Sequence, residues 1–76
     1  MSQAQEIFDL WHQKSGHLHS EPFAQGVLYQ LRRKLGEDSG RFPFDPGTVE
    51  YDAWDSGLSK GWDLWQRSKP RQAQLA

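Results

Sequence analysis

A chain of 76 residues has room for one small domain, and such a domain buries only roughly 60% of the surface its unfolded form exposes. Its 9 basic and 10 acidic side chains leave a formal net charge of −1, without the positive excess that usually marks a protein gripping phosphates. There is no cysteine, which excludes disulfides, thiolate metal sites and a cysteine nucleophile.

The opening stretch, MSQAQEIFDLWHQ, has neither a charged lead nor a long apolar run, so a signal peptide is not expected. No segment approaches the ~18 apolar residues of a membrane span, and the expected location is the cytoplasm. Instead Ala4, Ile7, Phe8, Leu10 and Trp11 recur at helical spacing. They predict a first helix over residues 3–14, with Ser15-Gly16 as its stop.

A short linker, HLHS, ends on Ser20, a good N-cap, followed by Glu21 and Pro22 in the first turn of a second helix. Phe23, Ala24, Val27, Leu28, Leu31 and Leu35 share one face of that helix, predicted over residues 20–35, and Gly36 is placed to end it. The next stretch, EDSGRFPFDPGT, holds two prolines and two glycines in twelve residues and reads as a loop. Phe42 and Phe44 flank Pro43 and are expected to pin the loop to the core.

Thr48 is the expected N-cap of a third helix over residues 48–67, with Glu50 complementing the helix dipole. On its wheel Asp52, Asp55, Ser56, Ser59, Lys60, Asp63, Gln66 and Arg67 fall on one half. Tyr51, Ala53, Trp54, Gly57, Leu58, Gly61, Trp62, Leu64 and Trp65 fall on the other. Ala53, Gly57 and Gly61 form a smooth stripe, and Trp54, Leu58 and Trp62 a bulky ridge beside it. A glycine within a helix costs about 1 kcal/mol relative to alanine, so two of them predict close approach of another backbone. The apolar arc exceeds the ~100° that one surface helix needs. Either this helix is the hydrophobic centre covered by the other two, or part of the arc stays open for a partner through Trp62 and Trp65, with Trp11 a further candidate. A second copy of the chain could also cover it. The fold expected is all-α: a three-helix domain over residues 1–68, with a Pro/Gly/Phe-rich loop before the third helix and a flexible tail over residues 69–76.

The pattern Pro43, Phe44, Pro46, Gly47, Ala53, Trp54, Gly57, Gly61, Trp62 resembles the ribosome modulation factor family and its phage and plasmid relatives. The resemblance spans about residues 40–65, with an upstream echo in Ala24, Gly26, Tyr29 and Gly36. It implies a two-helix core and binding to the small ribosomal subunit. The chain departs from the family in charge, since RNA-binding members are strongly basic.

Other signals are weaker. Arg32, Arg33 and Lys34 point in three directions on a helix, and with Arg67, Lys69 and Arg71 they are the candidate RNA contacts. His12, His17 and His19 lack a ligand set of zinc spacing, so no metal or other cofactor is expected. No phosphate loop, nucleophile elbow or HExxH is present, and Asp52 and Asp55 share a solvated face rather than a cleft, so the reading is not an enzyme. The expected function is regulatory binding to a protein or ribonucleoprotein partner. It takes one of two forms: docking on the translation machinery or another large complex, or phage-type inhibition of one host protein through an aromatic surface.

Overall fold

The computed structural model describes residues 2–15 and 18–68. Three helices form an all-α domain: α1 (Gln3–Ser15), α2 (Glu21–Lys34) and α3 (Val49–Arg67). Their bounds fall within a residue or so of those predicted, because the punctuation residues act as expected. The Ser20 hydroxyl accepts the Phe23 N–H at 3.4 Å, and the Thr48 hydroxyl accepts the Tyr51 N–H at 3.1 Å. Past the end of α2, Gly36 adopts φ +76°. Its left-handed turn lets the Glu37 N–H reach the Arg32 carbonyl at 2.8 Å and the Gly36 N–H reach that of Arg33 at 3.4 Å. This double return bond satisfies two carbonyls at the helix end.

The α2–α3 contact is the most extensive in the domain, and it is built on glycine. Gly26, Gly57 and Gly61 are all buried. A Cβ added to Gly61 would lie 2.5 Å from the Val27 carbonyl oxygen and 2.8 Å from the Gln30 Cβ. One added to Gly57 would collide with the Phe23 carbonyl and sit 3.1 Å from the Gly26 Cα, and one on Gly26 would collide with the Trp54 carbonyl. The two backbones are therefore in direct contact, as the small stripe predicts. Phe23 meets Gly57, Val27 meets Gly61 and Lys34 meets Trp65, so the helices run in the same sense. The loop over residues 35–48 must then return the length of α2, about 21 Å at 1.5 Å per residue.

The centre of the fold is α2 rather than α3. Ala24, Val27 and Leu31 of α2 join Ala4 and Trp11 of α1 in one buried cluster, with Leu64 and Trp65 of α3 packed against it. The reason is that α2 carries small residues for both neighbours: Ala24 beneath the α1 cluster and Gly26 beneath the α3 backbone. The sequence expectation that α3 is covered by both other helices is corrected accordingly. Part of the α3 apolar arc remains open, with Trp62 41% exposed.

The start of α1 is held from far along the chain. The Glu37 carboxylate accepts the Ser2 hydroxyl and, at 3.1 Å, the Ala4 N–H, while the Ser2 oxygen accepts the Gln5 N–H at 3.1 Å. These bonds satisfy donors that a helix N-terminus leaves unpaired. The hydrogen bond from Ser2, then that from Ala4, with the nearby charge of Arg32, hold the Glu37 carboxyl below its ordinary value of 4.5.

Candidate docking surface

Aromatic residues divide into an inner set and an outer one. Trp54, 1% exposed, anchors the inner set. Its ring meets Tyr29 at 5.0 Å, Phe42 at 5.2 Å and Tyr51 at 5.6 Å between centroids. Phe42 thus brings the long loop back onto α2 and α3, as expected of it, yet stays 60% exposed. Phe44 is half-buried and Pro43 exposed.

Trp11 was a candidate partner contact on sequence grounds, and the structure corrects this. It is buried, because α1 turns it against Ala24, Val27 and Leu31. It also closes a ring stack at the entry to α2: His19 lies on Phe23 at 4.1 Å and 9°, and Trp11 packs 5.6 Å from His19 and 6.2 Å from Phe23. His12 stacks on Phe8 at 5.3 Å. Both histidines therefore pack against rings. Among the described residues no three of His, Asp or Glu converge as metal ligands. His17 lies outside the described residues.

Trp62 and Trp65 come together at the C-terminal part of α3, 6.5 Å apart. Trp62 is exposed, while Trp65 is half-buried against the core with the Lys34 ammonium 5.4 Å over its ring. A cation so placed is attracted by the ring face and stays available to solvent. Lys34 thus joins the tryptophans rather than Arg32 and Arg33, and the basic run splits as its helical positions require. Arg32 is half-buried and lines the cleft between α2 and the long loop, whereas Arg33 is exposed elsewhere. Arg67 pairs with Asp63 at 3.2 Å, and Lys60 approaches the same carboxylate at 3.7 Å. Lys69 and Arg71, and the tail expected over residues 69–76, lie outside the described residues.

The outward face of α3 shows Asp52 and Asp55 to solvent. An aromatic corner with one lysine thus borders an acidic helix face. No described helix is long and apolar enough to cross a membrane. Three participants were missed from sequence: Glu37, whose partners are 33 and 35 residues away; Gly26 as the counterpart of Gly57; and Arg41, which the loop folds beside Arg32. Gly26 carried a usable signal, a glycine within a strongly patterned helix. The other two depend on where the long loop lands. No protein-family model, curated protein or solved structure matches this chain.

Proposed function

We propose that the protein is a small, non-enzymatic regulatory binding protein similar to ribosome modulation factor, docking on the translation machinery or another large complex in the cytoplasm. One observation carries the reading. Three residues of the sequence resemblance build the α2–α3 pair: Trp54 is its buried anchor, and Gly57 and Gly61 are its points of backbone contact. The extensive α2–α3 contact supports this reading, since the resemblance implies a two-helix core, with α1 as an addition to it. The docking face is the corner of Trp62, Trp65 and Lys34, and Arg32 and Arg33 are separate candidate RNA contacts on other sides of α2.

A second reading, inhibition of one host protein, is favoured by the 41% exposure of Trp62 and by the net charge of −1. Tryptophan is enriched at protein interface hot spots. Binding of the purified protein to isolated small ribosomal subunits, at two salt concentrations, separates the readings. Docking on RNA predicts steep weakening with salt and about tenfold or greater loss in an Arg32→Glu/Arg33→Glu variant. No binding at either salt concentration contradicts docking on this particle. A protein target identified by capture, lost with Trp62→Ala and indifferent to the charge reversal, would establish the second reading instead.

A further inference from the structure

The long loop does more than return the chain. Its Ser39 and Arg41, with Tyr29 and Arg32 of α2 and Trp54 of α3, line an open cleft of about 290 Å³. Two guanidinium groups therefore border one cleft. Neither is in an ion pair within 4.0 Å among the described residues. Of the loop's three acids, Glu37 holds Ser2 and Ala4, feeling Arg32 only through its charge, Asp38 accepts the Gly40 N–H at 3.0 Å, and Asp45 forms no ion pair with either arginine. Two like charges lining one cleft attract an anion more strongly than either alone, with Arg32 half-buried and Arg41 exposed. Guanidinium forks match the oxygens of a phosphate, and the Ser39 and Tyr29 hydroxyls add neutral donors.

Beside the cleft stands Phe42, 60% exposed and set 5.9 Å from Tyr29 and 5.2 Å from Trp54. A large ring held in place from below yet open above is a stacking platform, and nucleic-acid bases stack on such rings without regard to sequence. We infer that this cleft binds a nucleotide unit, its phosphate between Arg32 and Arg41 and its base on Phe42. The inference deepens the ribonucleoprotein reading and rests on it for the source of the nucleotide, not for the cleft itself. It also fits the overall charge, since one local phosphate contact needs no basic surface.

The test is an NMR titration of the full chain, following the Ser39 and Arg41 amides and the Trp54 indole N–H. The probes are adenosine monophosphate, adenosine, inorganic phosphate and a single-stranded hexauridylate. Adenosine monophosphate is expected to shift these resonances together, and more tightly than adenosine or phosphate alone. The Arg32→Gln/Arg41→Gln variant should weaken it about tenfold or more, and Phe42→Ala should reduce it toward the affinity for phosphate. Arg41 is exposed and Arg32 half-buried, and a wild-type-like Tm confirms that the double variant folds. Tighter binding of hexauridylate than of the monophosphate identifies a strand as the source; equal binding identifies a free nucleotide. Absence of shifts with every probe, or equal affinity in the double variant, overturns the inference. Ribosomal docking is read separately. If the double variant still co-sediments with ribosomal particles at unchanged affinity, the cleft is refuted as a contact while docking stands. If the cleft binds nucleotides but the wild type never co-sediments, docking fails and the cleft stands.

Discussion

Gly57 and Gly61 decide the α2–α3 contact atom by atom. An alanine at either gains about 1 kcal/mol in helix propensity. Its methyl group would lie against backbone, the Phe23 carbonyl for Gly57 and that of Val27 for Gly61, which cannot rotate away. Overpacking of this kind costs about 1–3 kcal/mol and sometimes more. Gly57→Ala and Gly61→Ala should therefore both unfold at lower urea concentration than the wild type, with Gly57→Leu worse still. Greater stability in either alanine variant would mean that the helices are farther apart than described. Glu37 makes a residue-scale prediction about pH. Its carboxyl titrates below 4.5 in the folded protein, so the unfolded chain binds more protons near that pH. The stability it contributes is complete above about pH 4.5 and is lost as pH falls through the lower folded value. Glu37→Gln should lower Tm at pH 7. The gap between variant and wild type should close as the solution is acidified, and a gap that stays constant would show that the carboxylate bonds to Ser2 and Ala4 are not formed.

At the scale of elements, α1 is the weakly joined member. It touches the rest mainly through Ala4, Trp11 and the partly buried Ile7 and Phe8, whereas α2 and α3 share a long contact. Hydrogen exchange should therefore be fastest in α1 and slowest across the glycine contact. Trp11→Ala should speed exchange in α1 well before α2 and α3, while Trp54→Ala, cutting the anchor of the main pair, should cost about 3–5 kcal/mol and accelerate all three. Simultaneous exchange of all helices in Trp11→Ala would refute this order. The helices were legible in sequence because each is patterned over several turns and α2 and α3 begin on a cap. Ser20, Gly36 and Thr48 act locally, and local chemistry is what a sequence displays. Which helix is central was not legible. The α3 wheel is almost cleanly divided, which suggested a covered core helix. That division reflects one intimate neighbour, α2, and one open edge at Trp62. The Trp11 assignment failed for a related reason: a tryptophan on an amphipathic helix looks the same whether it faces a core or a partner. Periodicity gives the face, and only the packing of α1 on Ala24 gives the destination.

The whole molecule joins an acidic α3 face, an exposed aromatic corner and a cleft with two arginines on a near-neutral chain. The candidate site was legible in part. Trp62 and Trp65 lie close in sequence on one helix, so their meeting was foreseeable, as was the divergence of Arg32, Arg33 and Lys34. That Arg32 and Arg41 line one cleft depends on a fourteen-residue return path that no local rule fixes. Trp62 itself makes a clean prediction: Trp62→Ala should leave Tm within about 2 °C of wild type, since surface changes are usually within ±0.5 kcal/mol, while impairing partner binding. A large loss of Tm would mean that Trp62 belongs to the core. The central claim, that this fold docks on a large ribonucleoprotein, is tested most directly by sedimentation of the tagged protein in a cell lysate through a sucrose gradient, at low and at moderate salt. Co-migration with small-subunit or whole ribosomal particles, lost as salt is raised, is the predicted result. Residence at the top of the gradient at both salt concentrations would contradict it.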